Sequence, residues 1–191
     1  VRALLAAGAD PKLGAKSFSD ETVAYHYACR GCHELLAPLA EASADLDAVE
    51  SVMGESPLYA ACRHGHTLTV HELVKLGANV NARTYSDETP LWIAARRGQL
   101  EAVRELVRGG ATLDTCDEFG ETPLMKASEF GHAKILDLLL TAGADDRLTN
   151  AEGLGAFEMA ERGLSYEATL HHGGECETCE DILRLHRQRS S

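Results

Sequence analysis

The sequence predicts an all-α helical solenoid, helix-turn-helix repeats joined by short hairpin loops, and three observations predict it. A block of about 33 residues recurs almost letter for letter. Asp87-Glu88-Thr89-Pro90-Leu91 is followed by Ala94-Ala95, Gly98, Val103, Leu106-Val107 and Gly110-Ala111. Gly120-Glu121-Thr122-Pro123-Leu124 is followed by Ala127, Gly131, Leu136, Leu139-Leu140 and Gly143-Ala144. Secondly, a helix-closing glycine recurs at Gly31, Gly65, Gly98 and Gly131, in steps of 34, 33 and 33 residues. Thirdly, each block ends in an apolar stripe at helical i, i+3, i+4 spacing. Such a period marks units that each touch only their neighbours, rather than a globule around one cleft.

Within a block, Thr89 and Thr122 stand where an N-cap hydroxyl accepts from an unpaired backbone N–H. Pro90 and Pro123 follow at the first helical position, where a missing N–H costs nothing. Gly98 and Gly131 close that helix, since a left-handed C-cap is cheapest without a Cβ. A second helix carries Val103, Leu106 and Val107 in one copy, and Ile135, Leu136, Leu139 and Leu140 in the next; Gly110 and Gly143 close it. A third copy starts at Gly54-Glu55-Ser56-Pro57-Leu58 and runs to Gly77-Ala78-Asn79-Val80-Asn81.

The register divides the chain into six units. Residues 1–16 read as the C-terminal half of a truncated repeat, which suggests a piece of a longer protein. Residues 17–48 form an irregular repeat: Thr22-Val23 lacks the Pro, Pro38 should kink or shorten the second helix, and Ser43 replaces the closing Gly. Regular repeats follow at 49–82, 83–115 and 116–149. Residues 150–191 form a divergent terminal repeat ending in a capping helix from Cys179 to Gln188, with Ile182, Leu183 and Leu185 apolar.

The Thr-Pro-Leu turn, the Ala-Ala pair, the mid-repeat Gly and the Gly-Ala-Asp/Asn-x-Asn exit closely resemble the ankyrin repeat, over roughly residues 1–163. The resemblance implies hairpins projecting sideways as fingers, helix pairs stacked into a curved array, and protein binding on the concave face without catalysis. One departure stands out. Where the family has His after Thr-Pro-Leu, tying neighbouring turns together, this chain has Tyr25, Tyr59, Trp92 and Met125. Aromatic packing is expected to replace those bonds.

A net charge of −12 argues against general nucleic-acid binding, which needs a basic face. No apolar run approaches the length of a membrane span. Six Cys without a secretory signature suggest free thiols in a reducing intracellular compartment. Cys62 and Cys116 read as small packing residues.

Cys29-Arg30-Gly31-Cys32-His33 spells the CxxCH of haem attachment, but Gly31 is already required by the repeat. Cys176 and Cys179, with His171 nearby, supply zinc-ligand types outside the register; one CxxC is half a motif, and a polar turn is the default. With no phosphate loop, HExxH or GxSxG, the chain is expected to be no enzyme and to need no cofactor.

A partner surface can be read as columns. The resemblance implies contacts from hairpin tips and first-helix ends. Helix ends contribute Arg30, Arg63, His64, Arg96, Arg97 and Phe130, and Arg162 further on; hairpin tips contribute Met53, Tyr85 and Phe119. Beside them runs an acidic line, Glu21, Glu55, Glu88 and Glu121. The expected partner is a protein offering an extended acidic and apolar segment to a basic stripe; the bland reading pairs each Arg with a neighbouring Glu. Other readings are a regulatory domain of an enzyme encoded upstream, or a zinc- or redox-responsive module using Cys176 and Cys179.

Overall fold

The computed structural model describes residues 22–167 and 179–189. Helices pair along the chain. The first repeat has α1 (Val23–Cys29), a 3-10 turn (His33–Leu35) and α2 (Leu36–Glu41). The second has α3 (Pro57–His64) and α4 (Thr67–Lys75). The third has α5 (Pro90–Arg96) and α6 (Leu100–Arg108). The fourth has α7 (Pro123–Glu129) and α8 (Ala133–Ala142). The terminal unit has α9 (Ala156–Glu167) and α10 (Cys179–Arg189). First helices pack on first helices and second on second, and α10 packs against α8 and α9. Among the described residues the array is wholly helical, apart from one isolated bridge between Thr149 and Gly155.

Local chemistry sets each first helix. The hydroxyls of Thr22, Ser56, Thr89 and Thr122 accept from the backbone N–H three residues on, at 3.1–3.3 Å. Proline occupies the next position in three of the four, satisfied by its fixed φ. Gly98 shows why the closing residue is glycine: its φ is +71°, and a Cβ there would lie 2.7 Å from the His132 ring of the next repeat.

The core is one continuous cluster, with Leu58, Leu73, Leu91, Leu106, Leu124, Leu136 and Leu139 essentially inaccessible. Cys62 is buried in it, and Cys116 is half-buried.

The first repeat departs as its sequence predicts. The second helix opens as a 3-10 turn and spans six residues, against nine, nine and ten in the following repeats. Ser43 takes the left-handed conformation that glycine takes elsewhere, at φ +62°. The CxxCH string turns the corner between α1 and the 3-10 turn. There the Cys32 thiol points at the Arg30 carbonyl and His33 contacts the Gly31 carbonyl.

Two periodic sets of bonds tie repeats together outside the core. In the exit loops, Asp47, Asn81 and Asp114 accept from the backbone N–H of Asn79, Thr112 and Asp145 in the next repeat, at 2.8–3.0 Å. In the hairpins, Tyr85 N–H donates to the Met53 carbonyl at 3.0 Å, Glu118 N–H to Ser86 at 3.1 Å and Ala151 N–H to Phe119 at 2.9 Å. Successive fingertips are thus joined backbone to backbone.

Candidate protein-interaction face

Each hairpin is held from inside by a side chain at one repeating position. The Glu50 carboxylate accepts from the N–H groups of Val52, Met53 and Glu55. Thr84 accepts from Glu88, Asp117 from Phe119 and Glu121, and Asn150 from Glu152 and Leu154. Burial alone would push the Glu50 carboxyl up, but these backbone donors hold it below its usual 4.5. Asp117 has fewer such donors, and burial wins: its carboxyl is raised.

With the turns fixed this way, the tip side chains point outward. Val52, Met53, Tyr85 and Phe119 are 63, 53, 68 and 61 % exposed. Large apolar groups left in water as a row mark an interaction surface more often than scattered single ones do.

The acidic line of Glu55, Glu88 and Glu121 does not lie on that surface. Glu55 is buried, and Glu88 and Glu121 are partly so. Tyr25 Oη–H donates to Glu55 at 2.7 Å, Tyr59 Oη–H donates to Glu88, and Trp92 Nε1–H donates to the Glu121 carbonyl at 3.0 Å. The expectation that aromatic packing replaces the missing His bonds is therefore corrected. The aromatic residues carry polar tips that make new inter-repeat hydrogen bonds, and only Met125, which has no donor, goes without one. Burial raises the Glu55 carboxyl despite the Tyr25 hydroxyl and the Arg63 guanidinium. Burial and the adjoining carboxylates also hold both phenols well above their ordinary range.

The basic helix ends divide into two kinds. Arg63 pairs with Glu55 at 2.8 Å, so its charge is met within the repeat, by a buried carboxylate rather than a surface one. Arg162 pairs with Glu152 at 3.1 Å. In the fourth repeat, Lys126 is bound by Glu121 and by Glu129, the latter at 2.8 Å. Arg30, Arg96 and Arg97 are exposed; among the described residues none of the three has a carboxylate within ion-pair distance. Arg96 lies instead over the rings of Trp92 and Phe130, at 5.5 and 5.6 Å. His64 is exposed beside Arg63, 3.4 Å from it. Partial burial and the charges of Arg63, His66 and Arg97 hold its imidazole below the usual 6.5. The stripe is thus strongest at the third repeat.

Of the zinc candidates, His171 and Cys176 lie outside the described residues. Cys179 is buried, its thiol 3.9 Å from the Ala127 carbonyl of α7. Among the described residues no group of three or more His, Cys, Asp and Glu could hold a metal ion, and no helix is long and apolar enough to cross a membrane.

Sequence reasoning missed the residues that organise this face from below: His66 and His132. Their Nε2–H groups donate to the Cys29 and Arg96 carbonyls of the preceding repeat at 3.0 and 3.2 Å. The tautomer follows from chemistry, since a carbonyl can only accept. Their constant place one residue after the closing glycine was the available signal.

No curated protein matches the chain. Two family models do: one described as "Ankyrin repeats (3 copies)" over residues 84–150, the other as "Ankyrin repeats (many copies)" over residues 58–107. Repeats of this kind are in general modules of protein–protein interaction. The stacked helix pairs and linked hairpins between residues 58 and 150 are ankyrin repeats.

Proposed function

We propose that this protein is a non-enzymatic adaptor or structural subunit. On this reading it binds an extended segment of a partner protein along its hairpin tips and first-helix ends. The segment carries acidic residues beside an apolar anchor. One pattern supports it: the apolar hairpin tips Met53, Tyr85 and Phe119 are exposed, and so are Arg96 and Arg97 at the end of a first helix, whose charges meet no carboxylate among the described residues. In a chain of net charge −12, such cations concentrate positive potential where the fingers offer apolar contact. Aromatic and Arg side chains are also the types that dominate interface energetics.

The test is affinity capture from native lysate, read by mass spectrometry, comparing wild type with Arg96→Glu/Arg97→Glu. Arg63 is left unchanged, because reversing it would set a second carboxylate against buried Glu55. Loss of a protein from the double variant, with its thermal midpoint unchanged, supports this face. Recovery of the same proteins by both forms overturns it.

A further inference from the structure

Resting on that reading, we infer that Arg96 is a preorganised subsite for one side-chain carboxylate of the bound segment, and that its sequence counterpart Arg63 is not. The two stand at equivalent positions, near the end of a first helix in adjacent repeats. Each has an acidic residue eight positions before it, Glu55 for Arg63 and Glu88 for Arg96. Their fates differ. Both acids accept a tyrosine hydroxyl of the preceding repeat, Glu55 from Tyr25 and Glu88 from Tyr59, but Arg63 is joined to Glu55, whereas Arg96 turns to the rings of Trp92 and Phe130.

What holds Arg96 leaves its donors free. The Arg96 carbonyl accepts His132 Nε2–H at 3.2 Å. The His132 ring stacks on Phe130, with centroids 6.4 Å apart and planes at 18°. Phe130 in turn faces the guanidinium of Arg96. This closed circuit constrains the residue at its main chain and at its charged end. Packing a guanidinium over ring faces does not use the in-plane N–H fork, which matches a carboxylate bidentately. The acids that could compete are engaged: Glu121 and Glu129 hold Lys126, itself 5.4 Å from the centroid of the same Trp92 ring.

The class of ligand follows. An ordered, unpaired guanidinium beside a 40 % exposed phenyl ring suits a planar anion next to an apolar side chain. A side-chain carboxylate, rather than a chain terminus, fits because repeats flank the site on both sides and a bound segment can run on past it.

The experiment uses the full chain and a displayed library of random 12-residue peptides, presented internally and, separately, with free C-termini. Wild type should enrich internal peptides with a fixed Asp or Glu near an apolar residue. Arg96→Ala should erase the acidic position while keeping the apolar one, and weaken an enriched peptide about tenfold or more, as expected for losing a charge-assisted bond. Arg96→Lys should not restore it, since charge without the planar fork is insufficient. Arg63→Ala should leave the acidic position intact. Circular dichroism and a thermal midpoint verify folding, and Phe130→Leu, which removes one of the two rings packed on the guanidinium but keeps its donors, gives a second readout as an intermediate loss. Enrichment whose acidic position survives Arg96→Ala, or is lost in Arg63→Ala, overturns this assignment but leaves the binding face standing. Selection of free C-termini alone also overturns it. No enrichment by wild type overturns both.

Discussion

The first and third repeats use one plan and solve it differently. In the third, proline follows the cap, glycine closes each helix, α6 is nine residues long, and neighbours pack on both sides. In the first, the proline is absent, α2 is cut to six residues after a 3-10 turn, and Ser43 bears a left-handed backbone. The difference teaches where cooperativity resides. A repeat's stability is its own local terms plus its interfaces. Removing one local device weakens the repeat that carries it; removing core volume from a repeat packed on both sides undermines two interfaces.

The largest expected effect tests that directly. Leu106→Ala, at a fully buried position, should cost about 2–5 kcal/mol in denaturant unfolding. Leu39→Ala in the first repeat should instead strip hydrogen-exchange protection from α1 and α2 while α5 to α8 keep theirs. Equal loss of protection across both regions would break the comparison.

Next in size are the inter-repeat bonds. Tyr25→Phe leaves a buried carboxylate without its hydroxyl donor, for about 1.5–3 kcal/mol. The nearby Glu50→Gln should show a pH signature. Because the folded Glu50 carboxyl lies below 4.5, its stabilisation is complete above that value and is lost as pH falls through the folded one. The substitution should therefore cost most at neutral pH and least in acid. A cost independent of pH would deny the backbone cradle its electrostatic role.

Two smaller effects sharpen the contrast. Ser43→Gly should stabilise the first repeat by about 1 kcal/mol, by relieving a left-handed residue that carries a Cβ. An unchanged or lower midpoint would mean that Ser43 is not strained. Finally, the His64 imidazole should titrate below 6.5 by NMR and move up in Arg97→Ala, since one of the charges that depress it is gone.

Much of this architecture was legible because it depends on single residues obeying local rules. Thr89 must cap, Pro90 can only start a helix, and Gly98 turns where a Cβ would strike its neighbour. Pro38 and Ser43 announced the irregular repeat for the same reason. The face was less legible. Periodicity assigned Arg63 and Arg96 equivalent places, but Arg63 pairs with Glu55 of its own repeat, whereas Arg96 packs on Trp92 and on Phe130 of the next. Glu88 accepts from Tyr59 just as Glu55 accepts from Tyr25, yet only Arg63 also reaches its acid. Such choices depend on three-dimensional neighbours, which a column of letters does not rank. Cys179 makes the same point: its spacing suggests a ligand, yet its thiol is packed into the stack.

The bonds between fingertips carry one more consequence. They run carbonyl to N–H, from Met53 to Tyr85, Ser86 to Glu118 and Phe119 to Ala151, and so use no side-chain atom. Any residue able to adopt the turn can therefore stand at the tips without loosening the rail they form. On the proposed binding face, the side chains offered to a partner are separate from the bonds that keep the repeats assembled. Selection, or an engineer, can therefore rewrite positions 52, 53, 85 and 119 as a set on an unaltered frame.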